Sequence, residues 1–294
     1  MTLDWKHSLV LNSSLGCLKD CLDFEDLSSI VLQFDVDDNE KPNLPIQILR
    51  KVPNLQEMSI NSCHCLEAFR TQIPEIDQNT ILTDLKVLDL TDIWELKSIG
   101  SGDVPWLDKI CEKLRMLYVD NCPHFTALMH PSSAVSFSCL KRLYVFDCQR
   151  LKYLFTSSAA KNLSQLEYIC LYQCRSLKEI VAKEQGETTS GEIKLQKLYR
   201  VVLYDLSSLE CFYSGNHTLR LPSLIEVDII RCPKMEIFSQ GSIGSNSCRK
   251  ITTSFELNGG LVIVDDDLNS TVKKVFRQQV TPSSKSINNN FNFC

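Results

Sequence analysis

Along most of the chain the apolar residues keep a spacing that belongs to neither a helix nor a plain strand. Leu140, Leu143, Val145, Cys148, Leu151 and Leu154 stand at offsets 0, 3, 5, 8, 11 and 14 from the first of them. A helix would return an apolar residue about every 3.6 positions and a half-buried strand about every 2. The pair at offsets 3 and 5 predicts a short strand with those side chains inward. The wider steps that follow predict a tight bend and a return path. The same six offsets recur from Leu55, Leu85, Leu114, Leu166, Leu198 and Leu224, and all 42 positions so defined are apolar. In a chain that is 44% apolar overall, chance does not produce that agreement.

A strand followed by a turn at Cys or Asn, repeated every 26 to 32 residues, is the leucine-rich-repeat signature. The fold class expected is an α/β solenoid, a leucine-rich-repeat horseshoe with a parallel β-sheet on the concave face and loops or short helical turns on the convex face. Residues 1–54 read as a degenerate first repeat and a loop, because Leu27, Ile30 and Leu32 fit the pattern but Asp35 and Asp38 break it. Residues 55–238 carry seven repeats, residues 239–276 a C-terminal cap, and residues 277–294 a disordered, polar tail. Within the repeats, residues 157–162 suit a helical turn. Residues 182–192, AKEQGETTSGE, read as a mobile insertion, and SQGSIGSNSCRK after Phe238 as flexible. DLNSTVKKVF predicts a capping helix, started by its Asn and Ser, with Leu268, Val272, Val275 and Phe276 on one face.

If offsets 3 and 5 face the core, offsets 2, 4 and 6 face out on the concave side. Those columns gather Tyr118, Tyr144, Phe146, Tyr168, Tyr172 and Tyr204 on the third to sixth repeats, with Arg142 and Arg200 among them and Asp89, Asp120 and Asp228 at the rim. Tyr and Arg carry much of the binding energy of protein interfaces. These eight aromatic and Arg residues are therefore the candidate partner-binding surface. The alternative is cross-strand stacking that serves stability alone.

Charge narrows the partner. Thirty-one Lys and Arg against 36 Asp and Glu leave the chain at −5, without the concentrated basic surface that nucleic acid requires. No apolar run approaches the roughly 20 residues of a membrane span, and the first residues, MTLDWKHSLV, do not resemble a secretory leader. Five of the 14 cysteines, Cys63, Cys122, Cys148, Cys174 and Cys232, share offset 8. A small, weakly polar side chain suits a buried turn stacked coil on coil. A metal site using Cys63, His64, Cys65, Cys122 and His124 is the sharper alternative, but the offset-8 cysteines are dispersed over five coils, whereas structural zinc gathers its ligands at one point. No phosphate loop, dinucleotide fingerprint, zinc-protease helix or nucleophile elbow occurs. No catalytic residue, cofactor or metal is expected.

LKRLYVFDCQRLKYLF and SSAAKNLSQLEYICLYQCRSLKEIVAKE resemble the C-terminal leucine-rich repeats of plant coiled-coil nucleotide-binding disease-resistance receptors, and DLNSTVKKVF resembles the segment that closes that region. The resemblance runs from about Leu27 to Phe276. It implies a cytoplasmic recognition module whose partner is a pathogen effector, a guarded host protein or the nucleotide-binding domain of a receptor, and which restrains an ATP-dependent switch. The family's coiled coil and nucleotide-binding domain are not among these residues, so ATP binding is not expected of them. They would act as a fragment, a truncated paralogue or a separate recognition module. The competing reading is a substrate-receptor subunit of a ubiquitin ligase, faintly suggested by Leu44, Pro45, Ile46, Ile48 and Leu49.

Overall fold

The computed structural model describes residues 8–12, 27–34, 49–63, 82–99, 105–129, 135–187, 191–246, 248–253, 261–263 and 267–280. Leu66 and Phe69 of the first repeat, His64, Cys65, residues 35–48 and residues 281–294 lie outside them.

Each repeat forms one coil of a leucine-rich-repeat solenoid. The seven strands Glu57–Asn61, Val87–Thr91, Met116–Asp120, Arg142–Phe146, Tyr168–Tyr172, Arg200–Tyr204 and Glu226–Ile230 lie side by side and parallel, without register slips. Strand Ser29–Gln33 pairs in the same register before them, and Ser8–Asn12 pairs with it in turn. The sheet therefore begins two strands earlier than the first full repeat. At its other end Lys250–Thr252 adds a parallel strand and Leu261–Ile263 an antiparallel one, giving 11 strands.

The core is the repeat pattern itself. Every described residue at the six repeat offsets is buried, the most exposed being Leu96 at 5%. Burial alternates along the strands because offsets 3 and 5 point inward. Fully burying a Leu or Ile side chain contributes about 1.5–3 kcal/mol, so each coil adds a substantial increment as it stacks.

Two backbone devices hold the coils in register. At offset 1 the amide of each coil donates to the carbonyl of the coil before, as Lys86 to Gln56, Arg115 to Lys86 and Lys141 to Arg115, at 2.7–2.8 Å. At offset 7 the residues Ser62, Asp92, Asn121, Asp147, Gln173, Asp205 and Arg231 all adopt left-handed backbone, with φ between 48° and 58°. That conformation turns the chain off the strand while the amide still reaches the next coil, as Asn121 to Phe146 and Asp147 to Tyr172 at 3.1 and 2.9 Å. Asp and Asn, at four of the seven positions, are among the few types, besides Gly, that adopt it readily.

The convex side differs from the expected loops and helical turns. Helices do occur at Pro105–Cys111 and Ser157–Ala160, the latter capped by the Thr156 hydroxyl accepting from the Ala159 amide. Two short three-stranded sheets accompany them. One joins Phe155–Thr156, Glu179–Ala182 and Cys211–Tyr213, and the other joins Glu192–Lys194, Thr218–Leu221 and Ile243–Asn246. Much of SQGSIGSNSCRK, expected to be flexible, is thus strand. Its own side chains carry little apolar signal, but the unpaired edges of Thr218–Leu221 and Glu226–Ile230 template it.

The insertion is likewise tied down over its described part. Glu184 accepts from the Ser157 and Ser158 hydroxyls and the Ser158 amide, so it sits at the start of helix Ser157–Ala160. Burial alone would raise the Glu184 pKa, but these hydroxyl and amide donors lower it on balance. Glu187 accepts from the Tyr213 hydroxyl and lies 3.1 Å from His217 Nδ1. The His217 approach is an ion-pair distance without the alignment of a hydrogen bond.

The helix Leu268–Val280 closes the stack, extending four residues past the expected cap boundary. Its cap is Asp267, which accepts from the Ser270 amide and hydroxyl, rather than the Asn or Ser expected from the sequence. Leu268, Val272 and Val275 are buried as the pattern predicts. Asn269 instead reaches back, accepting from the Phe238 and Ser239 amides and donating to the Ser239 carbonyl, all within 3.0 Å.

Candidate functional site: the concave aromatic face

Strict register turns three sequence offsets into three straight columns. The first runs Glu57, Val87, Met116, Arg142, Tyr168, Arg200 and Glu226; the second Ser59, Asp89, Tyr118, Tyr144, Cys170, Val202 and Asp228; the third Asn61, Thr91, Asp120, Phe146, Tyr172, Tyr204 and Ile230. All eight candidate residues lie on this one face.

The aromatic rings touch one another. Tyr118 and Tyr144 stack at 4.3 Å and 8°, and Tyr144 meets Tyr168 at 5.4 Å and Phe146 edge-on at 6.2 Å. Phe146 meets Tyr172 edge-on, and Tyr172 stacks on Tyr204 at 4.9 Å and 10°. Such pairs add about 0.5–1.5 kcal/mol beyond their area. The face is consequently a preorganised ladder, whose outer rings are already ordered before anything binds. Partial burial, together with the neighbouring Tyr144 hydroxyl, pushes the Tyr118 pKa up to about 12, so its hydroxyl stays protonated at neutral pH.

The candidates are not equally accessible. Tyr204 is 5% exposed and is covered further by the Arg231 guanidinium, 5.6 Å from its ring centre. Arg200 is engaged with the buried Asp228 at 2.7 and 3.1 Å and with Glu226 at 3.5 Å. Both residues hold the C-terminal part of the face. Tyr118, Arg142, Tyr144, Phe146, Tyr168 and Tyr172 are partly exposed and form the open part.

The electrostatics divide the face in the same place. Over coils six and seven Glu226 and Asp228 are ion-paired: Arg200 with Asp228 and Glu226, and Lys250 with Glu226 at 2.6 Å. Over coils two to four stand Asp89, Asp92, Asp120 and Asp147. Asp89, Asp92 and Asp147 accept from the Thr91, Asn121 and Gln149 side chains, but among the described residues none of the four is in an ion pair. Burial first, then the charges of Asp147, Asp92 and Asp89, raise the Asp120 pKa to about 6.

Sequence reasoning did not single out Trp94, which is 52% exposed two residues beyond Asp92. Its ring lies 6.1 Å from His124, and its carbonyl is 2.8 Å from His124 Nδ1. An apolar residue just past the turn, where other coils carry His, Pro, Gln, Arg or Ser, was the available signal.

The offset-8 cysteines line a buried spine. Cys122, Cys148, Cys174 and Cys232 each direct Sγ at a carbonyl of the preceding coil, at 3.6–4.0 Å. All ten described cysteines are free thiols. Of the alternative metal ligands, His64 and Cys65 lie outside the described residues, and His124 turns to the Trp94 carbonyl. No helix among the described residues is long and apolar enough to cross a membrane.

Residues 130–245 match the family model of plant disease resistance protein RPS2-like leucine-rich repeats. Over that span the coils are similar to plant disease-resistance repeats. The matched span takes in coils four to seven whole, and with them most of the aromatic ladder, from Arg142 to Tyr204. Among curated proteins, nothing matches the chain.

Proposed function

We propose that this chain is the recognition segment of a plant intracellular immune receptor and that its concave face binds a protein partner, either a pathogen effector or a host protein under surveillance. The observation that carries the reading is the ladder from Tyr118 to Tyr172, which combines partly exposed aromatic area with rings already fixed by their neighbours. Preorganised aromatic anchors bind with little ordering cost, and Tyr is enriched at the energetic centres of interfaces. The same face serves in the resting receptor as a docking surface for its nucleotide-binding domain, so that partner binding and restraint of the switch compete.

The test has two parts. Replacing both Tyr144 and Tyr172 by Ala should weaken binding of a cognate partner by at least about tenfold, or about 1.4 kcal/mol, while leaving the cooperative melt in place. In a longer receptor chain, deleting the coils should raise basal signalling. Unchanged affinity in the double variant rejects the concave face as the binding surface, and unchanged basal signalling rejects the restraint.

A further inference from the structure

The concave face pairs Glu226 and Asp228 with cations at one end and, among the described residues, leaves Asp89, Asp92, Asp120 and Asp147 without an ion pair at the other. Over coils six and seven the cations are built in, as Arg200, Lys250 and Arg231, and Arg231 lies on an aromatic face. Over coils two to four the same kind of surface recurs, with stacked Tyr118 and Tyr144 beside Asp89, Asp92, Asp120 and Asp147, but among the described residues none of these four acids is in an ion pair. Arg142 shares a strand with Tyr144, in the first column, and among the described residues it pairs with none of these acids.

We propose that this part of the face receives a protein segment rich in Lys and Arg, with a cationic side chain seated among Asp89, Asp92, Asp120 and Asp147 and against the Tyr118–Tyr144 stack. The inference rests on the concave face being the binding surface and names the chemistry of its partner. Three physical terms favour such an occupant. A cation relieves the mutual repulsion of four closely placed carboxylates. Guanidinium and ammonium groups are attracted to tyrosine faces, as Arg231 is to Tyr204. Charge complementarity over an exposed surface also accelerates encounter. An acidic or purely apolar segment would leave the acids unpaired and partly desolvated, which is costly.

The experiment uses the full chain as bait for a displayed library of random dodecapeptides, with the selected peptides then synthesised and titrated. Peptides rich in Lys and Arg are expected, with affinity falling steeply as salt is raised. The double variant Asp120→Asn with Asp147→Asn should weaken them by about tenfold or more. Asn preserves shape, and the single Asp120→Asn variant gives the same readout if the double variant melts non-cooperatively. Peptides that lose binding on Tyr144→Ala with Tyr172→Ala but show no cationic bias, or that ignore the Asp→Asn changes, overturn the inference and leave the binding surface standing. Cationic peptides indifferent to both pairs of substitutions overturn both, as does a library that yields no binder.

Discussion

Two side-chain environments carry most of the chemistry of this chain, the crowded carboxylates of the concave rim and the buried thiols behind it. Asp120 is held with its pKa raised to about 6 by partial burial and by Asp147, Asp92 and Asp89. The unfolded carboxyl titrates near 4, so between those values the folded chain holds a proton that the unfolded chain has lost, and stability falls as pH rises through that window. Asp120→Asn should therefore stabilise the chain near pH 7 by up to about 1 kcal/mol, a small value because the group is partly exposed and screened. The gain should vanish below about pH 4, where Asp120 is itself protonated. Thermal melts of both proteins across that range would test this, and a variant less stable at neutral pH would contradict it. Combined with weaker binding, the result would mark Asp120 as a residue kept for recognition at some cost in stability. The thiols are shifted in the same direction, and there the shift makes them unreactive. Contact with the Cys148 thiol and then burial raise the Cys122 pKa, and burial pushes Cys232 up to about 12. Burial keeps the four spine thiols out of a reagent's reach, so native-state alkylation read by mass spectrometry should label exposed Cys139 and spare Cys122, Cys148, Cys174 and Cys232 until the chain unfolds. Rapid labelling of the spine cysteines would reject the structural role assigned to them.

At the scale of the element, legibility tracked the source of the ordering force. The strands and their outward columns could be read from the sequence because the same residues that form them also bury their inward side. The left-handed residue at offset 7 was only partly visible, since Asp and Asn signal it but Gln173 and Arg231 do not. The order in the described part of the insertion, residues 182–187 and 191–192, was not legible. Its polar composition says only that it lacks a core of its own, whereas Glu187 is fixed by Tyr213 and His217 from the next coil. The pocket for that contact is built from glycines. A Cβ on Gly215 would lie 2.3 Å from the Tyr213 hydroxyl oxygen and 2.5 Å from Glu187 Oε1, and one on Gly241 would lie 2.2 Å from the His217 carbonyl oxygen. Backbone cannot yield as a flexible side chain can. Gly241→Ala should consequently cost about 1–3 kcal/mol and raise amide exchange in Thr218–Leu221, the strand just after His217. A neutral Gly241→Ala would show that the close approach carries no weight.

At the scale of the whole molecule, the solenoid has no single centre, and each coil depends on its two neighbours. The relevant liability is the open end, where a parallel strand exposes unpaired backbone and a coil exposes its core. The C-terminal end is closed twice, by the antiparallel strand Leu261–Ile263 across the sheet and by the helix Leu268–Val280 over the last coil. Besides its buried apolar face, the helix is hydrogen-bonded to coil seven through Asn269, which satisfies both amides of Phe238 and Ser239 and the Ser239 carbonyl. Removing it leaves buried backbone groups without partners, each worth about 1–3 kcal/mol. Asn269→Ala should thus destabilise the chain by at least that amount, and nearest-neighbour coupling dictates where the damage appears. Amide exchange should accelerate in Glu226–Ile230 and in the strand Ile243–Asn246, and the effect should decay toward coil four, leaving Arg142–Phe146 near its original protection. A uniform rise along all the coils would mean instead that the stack unfolds as one cooperative unit. The helix would then be setting the stability of the recognition face from a distance, and its substitution should weaken partner binding as much as loss of the tyrosines does.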